Sequence, residues 1–227
     1  MTKIIICAYR DWALEIADEL EVKSGNVEVL KIYRTNEDFI NNFKDLQTEI
    51  EMLLFIGWSW IVPAHITKNF LCLGLHPSDL PYYRGGSPIQ NQVINGVVNS
   101  KMSLFTLTEK LDSGSVWLKE DLSLAGNNIS EIFQNITKSS ISLLVKFFEK
   151  FPDIEPVVQK EGEGSYFARR KPTDSKIDLK SLHNLSIVEL YNKIRCLTDP
   201  YPNAYLEDEE GHRLVFKEVE FLPRNNN

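Results

Sequence analysis

Apolar positions in the first half of the chain form short runs rich in β-branched residues. They lie at 3–8, 27–33, 52–56 and 71–75, and segments with apolar residues at helical spacing fall between them, notably 12–21 and 36–46. Buried strands that alternate with helices are typical of βαβ units. The pattern predicts an α/β fold with a Rossmann-like, mostly parallel sheet and helices on both faces.

The second half begins with an ordered loop, because residues 76–88 contain three prolines and two adjacent glycines. Helices are predicted at 88–94 and 130–151, the latter capped by Asn128 or Ser130, and strands at 101–107 and 115–122. Beyond Gly164, a helix at 187–197 and strands at 204–207 and 213–221 predict a small α+β C-terminal appendage. We therefore expect a main domain over 1–164 and an appendage over 165–227.

The net charge and the lengths of the apolar runs argue against nucleic acid and membranes as partners. The chain has 25 Lys and Arg against 32 Asp and Glu, a net charge of −7. No concentrated basic surface is visible, which argues against nucleic acid as the main ligand and leaves room for one phosphorylated small molecule. The longest apolar run, 52–62, is about half of a bilayer-crossing helix, and 4–8 is too short for a signal-peptide core. We expect a cytoplasmic protein with no membrane partner.

Three cysteines, Cys7, Cys72 and Cys196, are odd in number, widely spaced and set in apolar surroundings. This arrangement favours reduced structural thiols over a disulfide framework or a metal site. No metal is therefore expected.

His76 is the first candidate for chemistry. It follows a buried strand, and the carboxyl ends of such strands border the crevice where open α/β sheets bind ligands. An imidazole there can donate or accept a proton near neutral pH. The alternative is a structural histidine that caps the strand end by hydrogen bonding.

Asp112 is the second candidate. It lies in the motif LDSG at 111–114, and a carboxylate on such a turn can orient an imidazole and stabilise its charged form. Taken alone the motif is equally an ordinary turn, since Asp and Gly are common turn residues.

The two motifs together resemble the folate-dependent formyltransferase superfamily. HPSDLPYYRGGSPIQ at 76–90, LDSG at 111–114 and IRCLTDPYP at 194–202 are similar to the core of methionyl-tRNA, glycinamide ribonucleotide and nucleotide-linked amino-sugar N-formyltransferases. The resemblance implies the formyltransferase fold, with catalysis in the domain 1–164. It also implies that an acceptor amine attacks the formyl carbon of 10-formyltetrahydrofolate, the cosubstrate. His76 would accept the amine proton or polarise the formyl oxygen, and Asp112 would orient His76.

By the same resemblance, the loop GWSWIV at 57–62 is the folate loop, and Trp58, Trp60, Ile61 and Val62 would contact the pterin. The two tryptophans are equally readable as ordinary core or rim aromatics. One departure concerns Gly74, where the family usually has an Asn that donates to the oxyanion. Ser78, Gln90 and Asn91 are the nearest substitutes, and an impaired nucleotide-sugar binding module is the alternative.

The acceptor is narrowed by comparison within the superfamily. Residues 7–12, CAYRDW, lack the glycine of the phosphate loop in glycinamide ribonucleotide enzymes. The tRNA enzymes have a long C-terminal barrel and a basic face, whereas the appendage predicted here is small and the net charge is −7. The resemblance therefore favours a nucleotide-linked amino sugar, with Tyr9 and Arg10 at its diphosphate. A glycinamide ribonucleotide formyltransferase-like enzyme and an unrelated crevice-binding α/β protein remain alternatives.

Within the amino-sugar group, RGGSPIQN at 84–91 and YFARRKPTDSKI at 166–177 are similar to formyltransferases of pseudaminic acid pathways. This implies a UDP-linked 4-amino-4,6-dideoxy-N-acetyl sugar. The expected substrate-binding residues, besides Tyr9 and Arg10, are Ser78, Arg84, Gly85, Gly86, Gln90, Tyr166 and Arg169, although a basic run in a loop is usually solvated surface. The nucleotide, the sugar stereochemistry and the oligomeric state, a homodimer among the options, stay open.

Overall fold

The four apolar runs of the first half form strands in the computed structural model, which describes residues 1–43 and 50–223. The strands are β1 (Thr2–Ala8), β2 (Val27–Tyr33), β3 (Met52–Ile56) and β4 (Leu71–His76). Between them lie the helices α1 (Asp11–Ser24), α2 (Asn36–Asn42) and α3 (Ala64–Asn69). The helix predicted for 36–46 is thus confirmed over its first two turns, and residues 44–49 lie outside the described part of the chain.

The second half completes the sheet with β6 (Asn99–Thr106) and β7 (Val116–Ser123), and adds the short strand β5 (Arg84–Gly85) and the helices α4 (Pro88–Ile94) and α5 (Ile129–Lys150). The sheet order is β2-β1-β3-β4-β6-β7. All neighbours among the first four strands are parallel, whereas β6 is antiparallel to both β4 and β7. The predicted α/β fold with a mostly parallel sheet is confirmed.

Helices cover both faces of this sheet because successive side chains of a strand point to opposite sides. Ile4 and Ile6 face the larger core, which α1 and α5 cover. Ile5 and Cys7 face the smaller core, which contains Phe39 of α2. Helix α5 begins after Asn128, whose side chain accepts a hydrogen bond of 3.0 Å from the backbone nitrogen of Glu131, so the first of the two predicted caps is confirmed.

The C-terminal part contains β8 (Tyr166–Phe167), 3₁₀ turns at Pro172–Ser175 and Leu179–Asn184, α6 (Ile187–Arg195), β9 (Tyr205–Glu207) and β10 (Arg213–Val215). Strand β10 is shorter than the predicted 213–221. The backbone nitrogen of Phe216 still donates to the carbonyl of Ala204, but the nitrogen of Ala204 donates to the carbonyl of Leu197 and not back to Phe216, so the ladder ends there. Helix α6 ends two residues before the predicted position, in a tight turn that joins Leu197 to Ile194.

Strand β8 pairs in parallel with β5, so residues just beyond Gly164 lie against the loop that follows β4. Side chains of the C-terminal part, including Ile177, Ile194 and Ala204, are buried in the same cluster as Ile4 and Ile6 of the central sheet. The division into 1–164 and 165–227 stays a prediction.

All three cysteines are unpaired and buried. Burial raises the pKa of both Cys72 and Cys196 to about 12, and burial together with the nearby Cys72 raises that of Cys7 well above its ordinary value. Over 1–43 and 50–223, no helix is long and apolar enough to cross a membrane, and no group of three or more His, Cys, Asp or Glu side chains could hold a metal ion.

Candidate active site

His76 is the last residue of β4 and is 6% exposed. Its Nε2 donates a hydrogen bond of 2.8 Å to the backbone carbonyl of Tyr83, and its ring meets the ring of Phe105 edge-on at 6.2 Å. The strand end therefore places the imidazole where the sequence predicts it. One of the two ring nitrogens of His76 is thus hydrogen-bonded to the Tyr83 carbonyl.

Asp112 faces the other nitrogen. Its Oδ2 lies 3.6 Å from His76 Nδ1, with the two side chains 11% and 7% exposed. The same oxygen accepts a hydrogen bond of 2.7 Å from the backbone nitrogen of Gly85. Nε2 therefore carries a hydrogen, since a carbonyl can only accept, and Nδ1 faces the carboxylate at a distance beyond that of a hydrogen bond. These two contacts orient the imidazole ring.

The loop between β4 and α4 is held by hydrogen bonds to its own backbone. Ser78 Oγ donates to the Tyr82 carbonyl at 2.7 Å, and Gln92 Nε2 donates to the Pro77 carbonyl at 2.7 Å. Tyr83 adopts a left-handed backbone with φ of 56°, a conformation that non-glycine residues rarely hold without support. Ser78 therefore serves the loop that presents the Tyr83 carbonyl to His76.

Gly85 and Gly86 make room for the segment around β8. A Cβ on Gly85 would lie 2.3 Å from the carbonyl oxygen of Phe167, and one on Gly86 would lie 2.2 Å from the Cα of Arg169. Because both obstacles are backbone atoms, no side-chain rotation relieves the contact. The double glycine thus brings the 166–169 segment against the loop, where Tyr166 and Arg169 are exposed.

Gln159 joins this assembly although no sequence pattern singles it out. Its Nε2 donates to the carbonyls of Asp112 at 3.0 Å and Gly114 at 2.7 Å. Its Oε1 accepts hydrogen bonds from Arg84 Nε at 3.0 Å and Nη2 at 2.6 Å. Arg84, predicted to bind substrate, is thereby tied to the turn that carries Asp112.

The predicted folate loop follows β3, the neighbour of β4 in the sheet. Trp58 is half-buried and packs at the edge of the smaller core, and its ring centroid lies 4.8 Å from that of Trp60. Trp60 and Ile61 are 42% and 91% exposed, and Val62 packs against the smaller core. Trp58 is therefore partly a core aromatic, whereas Trp60 and Ile61 offer apolar surface to solvent.

Tyr9 and Arg10, just beyond β1, adjoin the same loop. The Tyr9 ring lies 4.8 Å from the Trp60 ring, its hydroxyl is 2.7 Å from Ser59 Oγ, and the guanidinium of Arg10 lies 5.0 Å over it. In the described part of the chain, no hydrogen bond or ring contact joins this cluster to His76 or Asp112. The structure thus gathers the predicted residues into two groups at neighbouring strand ends.

Gly74 lies two residues before His76, in a space that apolar side chains fill. A Cβ added there would lie 2.9 Å from Leu107 Cδ2 and 3.0 Å from Phe105 Cε1. The groups that approach the backbone closely at this position are therefore the side chains of Leu107 and Phe105.

The three proposed substitutes for the missing Asn differ in whether their donors already make a hydrogen bond. Ser78 Oγ and Asn91 Nδ2 donate to the backbone carbonyls of Tyr82 and Gly86. Gln90 is 2% exposed, and its Nε2 is a buried donor that has no acceptor among the described residues. Of the three, only Gln90 has a side-chain donor that is not already used.

Comparison with known proteins concerns the family and the fold. A family model described as "Formyl transferase" matches residues 15–147. Methionyl-tRNA formyltransferase of Rickettsia prowazekii is 30% identical over 174 residues, which cover 75% of this chain and 55% of that protein. The chain therefore spans about half the length of this curated relative.

Solved structures show the same fold. Methionyl-tRNA formyltransferase from Clostridium thermocellum superposes with a TM-score of 0.84 at 29% identity, covering 100% of this chain and 96% of that one. A 4-N formyltransferase from Francisella tularensis gives 0.78 at 20% identity, covering 97% and 99%. HypX from Aquifex aeolicus in complex with tetrahydrofolic acid gives 0.75 at 18%, covering 90% and 35%. The last two likenesses concern the fold alone. The match of the family model over more than half of the chain shows that this protein belongs to the formyl transferase family.

Proposed function

We propose that the protein transfers a formyl group from 10-formyltetrahydrofolate to the primary amine of a nucleotide-linked amino sugar. The observation that carries this proposal is the buried His76–Asp112 pair, with 3.6 Å between Nδ1 and Oδ2, at the carboxyl end of β4. The impaired binding-module alternative is weakened by the same pair, because a pure binding module needs no oriented imidazole.

The proposed reaction forms one C–N bond and breaks another. The amine nitrogen attacks the formyl carbon, and the tetrahedral intermediate collapses as the bond to the folate nitrogen breaks. His76 takes the amine proton at Nδ1, since Nε2 already donates to the Tyr83 carbonyl, and returns it to the departing folate nitrogen, a role worth about 10² to 10⁴ in rate. Asp112 orients the imidazole and stabilises its protonated form.

Stabilising the developing oxyanion requires a hydrogen-bond donor, and each such donor is worth about 10² to 10³ in rate. Gly74 has no side chain to supply one, and the space beside it is filled by Phe105 and Leu107. We assign the role to Gln90, because its buried Nε2 has no acceptor in the described part of the chain. Ser78 and Asn91 already donate to backbone carbonyls.

The folate is proposed to lie at the loop after β3. Trp60 and Ile61 are exposed there, and the rings of Tyr9, Trp58 and Trp60 form a continuous aromatic cluster. A flat pterin gains from such surfaces by stacking and by burial of apolar area. The shared fold of a protein solved with tetrahydrofolic acid supports this cosubstrate.

An amino sugar carrying a nucleotide diphosphate is the proposed acceptor, specifically a UDP-linked 4-amino-4,6-dideoxy-N-acetyl sugar of pseudaminic acid biosynthesis. Arg84 favours an anionic substrate. Its Nε and Nη2 donate to Gln159, but its Nη1 has no hydrogen-bond partner over 1–43 and 50–223, so it can donate to a phosphate. Arg10, Tyr166 and Arg169 offer further polar contacts at the surface. The fold shared with a 4-N formyltransferase is consistent with this class.

Methionyl-tRNA is the second candidate acceptor, because the Rickettsia prowazekii and Clostridium thermocellum proteins, at 30% and 29% identity, have that name. The net charge of −7 weighs against it, since binding a polyanion normally requires a basic surface. The amino sugar therefore ranks first.

Release of tetrahydrofolate from 10-formyltetrahydrofolate tests both candidates. We expect release to depend on a UDP-linked 4-amino sugar within a panel of UDP-, dTDP- and GDP-linked amino sugars, and to be absent with charged methionyl-tRNA. The variant His76→Ala should be inactive with every acceptor. Turnover with methionyl-tRNA and with none of the amino sugars would show that methionyl-tRNA is the acceptor. Wild-type turnover by His76→Ala would refute the assignment of His76 as the base.

A further inference from the structure

Gln159 lies in the connection after α5, yet its side chain reaches the turn that carries Asp112. Two residues earlier, the backbone of Val157 exchanges hydrogen bonds of 2.7 and 2.8 Å with Val116 at the start of β7. This bridge fixes the origin of the Gln159 side chain against the central sheet. The chain is therefore held against the sheet two residues before Gln159, which is itself partly buried.

The amide makes four hydrogen bonds, and they face in two directions. Two are donated by Nε2 to the carbonyls of Asp112 and Gly114, on either side of Ser113. Two are accepted by Oε1 from the guanidinium of Arg84. The neighbour of Arg84, Gly85, in turn donates its backbone N–H to the Asp112 carboxylate. The turn and β5 are thus joined twice, once by Gln159 and once by Asp112.

We propose that Gln159 is a positioning residue that sets the distance between the Asp112 carboxylate and His76. Asp112 has a φ of 51°, a left-handed conformation that its own backbone energy does not favour. The two bonds from Nε2 hold the carbonyls at Asp112 and Gly114, and thereby the backbone conformation between them. With the turn fixed, the Asp112 side chain points between Gly85 and His76.

The chemistry of the four partners selects an amide. The two carbonyls are acceptors and need N–H donors, which Nε2 supplies, whereas the guanidinium is a donor and needs an acceptor, which Oε1 of the same amide supplies. A glutamate would keep the Arg84 contact but place a second oxygen against the two carbonyls. A leucine would fill the space and lose all four bonds. The inference rests on the proposed function, since it assigns Gln159 to the same His76–Asp112 pair.

A double-mutant cycle tests the proposal through activity. Gln159→Leu and Gln159→Glu should each lower kcat on the order of 10²-fold, the scale of a 1 Å misplacement, with little change in the acceptor KM. Adding Gln159→Leu to Asp112→Asn should cause no further loss, because residues that act through one another are not additive. Gln134→Leu, a change of an exposed glutamine on α5, is the matched control and should resemble the wild type.

Three kinetic results would overturn the proposal. The first is additivity: Gln159→Leu lowers kcat as much in the Asp112→Asn variant as it does in the wild type. That result would mark a general structural role. The second is wild-type kcat in Gln159→Glu, which assigns the function to the Arg84 contact instead. The third is a loss confined to KM. Gln159→Glu also serves as the second variant if Gln159→Leu does not fold.

A measurement without turnover separates this proposal from the proposed function. The chain has four histidines, and His76→Ala identifies the imidazole ¹⁵N signals of His76. These signals should move in Gln159→Leu towards their values in Asp112→Asn. If they keep their wild-type values, Gln159 does not position Asp112, whether or not the wild type transfers formyl groups. Absence of turnover with every acceptor would instead refute the proposed function and leave the spectroscopic result decisive for Gln159.

Discussion

The carboxylate of Asp112 accepts a hydrogen bond of 2.7 Å from the backbone nitrogen of Gly85. A backbone amide is a fixed donor that carries no net charge, so it orients the carboxylate without neutralising it. The same oxygen, Oδ2, lies 3.6 Å from Nδ1 of His76. The contact therefore leaves the negative charge available to an imidazole that takes up a proton.

Asp112→Asn should lower kcat by about 10² to 10⁴, the range of general acid–base contributions, with little change in acceptor KM. Asn tolerates the left-handed backbone at this position and keeps an oxygen for Gly85, so the turn should survive. Steady-state kinetics and a thermal melt check this together. An intact kcat with a raised KM would identify Asp112 as a structural turn residue.

Gly74→Asn should lower stability by about 1–3 kcal/mol and give no gain in kcat. The new Cβ would lie 2.9 Å from Leu107 and 3.0 Å from Phe105, which must shift before the amide can reach the oxyanion. Urea denaturation measures the first effect and initial rates the second. A rise in kcat of about 10² to 10³ at wild-type stability would show that the site lacks a donor and that no other group has replaced it.

Gln90→Leu separates a catalytic from a structural role by opposite effects. Removing a buried, unpartnered donor should leave the free energy of unfolding unchanged or slightly higher. If Gln90 supplies the oxyanion donor, kcat should fall by about 10² to 10³. Kinetics and urea denaturation on the same preparation decide it, and an unchanged kcat would remove Gln90 from the proposed mechanism.

Gly86→Ala should separate the 166–170 segment from the loop after β4. The new Cβ would lie 2.2 Å from the Cα of Arg169 and 2.5 Å from its nitrogen, so the backbone must move. We expect faster proteolysis within this segment and reduced kcat. Gly96→Ala is the control: Gly96 has a φ of +77° but nothing within 4 Å of the added Cβ, so it should lose stability without these two effects. Equal proteolysis of both variants would contradict the assigned packing.

The cysteines give a pH prediction. Burial raises the pKa of Cys72 from 9.0 to about 12, so between these values the unfolded thiol releases a proton that the folded thiol keeps. The unfolded state then binds fewer protons, and the free energy of unfolding should fall as the pH rises from 9 towards 12. Urea denaturation at several pH values checks this, with Cys72→Ala expected to reduce the slope. At pH 8, a disulfide reagent should react with the thiols only after unfolding.

Local pattern was enough for the central strands. The predicted bounds of β2 and β3, 27–33 and 52–56, coincide with those observed, because the periodicity and branching that favour a buried strand are properties of adjacent residues. His76 was found as the residue that ends a buried strand. Asp112 alone was equally an ordinary turn residue, and only the resemblance of its motif paired it with His76. Because β6 is antiparallel to β4, the strand ends by themselves gave no reason to expect this contact.

The sequence by itself therefore determined the fold class and the bounds of β2 and β3, and the resemblance of its motifs brought His76 and Asp112 together as candidates. Only the tertiary structure decided how these residues are held. Gln159 reaches Asp112 across 47 positions and Arg84 across 75, and Phe105 and Leu107 fill the space beside Gly74. A hydrogen bond to a distant backbone carbonyl leaves no periodicity in the chain, because carbonyls are present at every residue. Which of them come within reach of an amide is decided by the packing of the whole sheet.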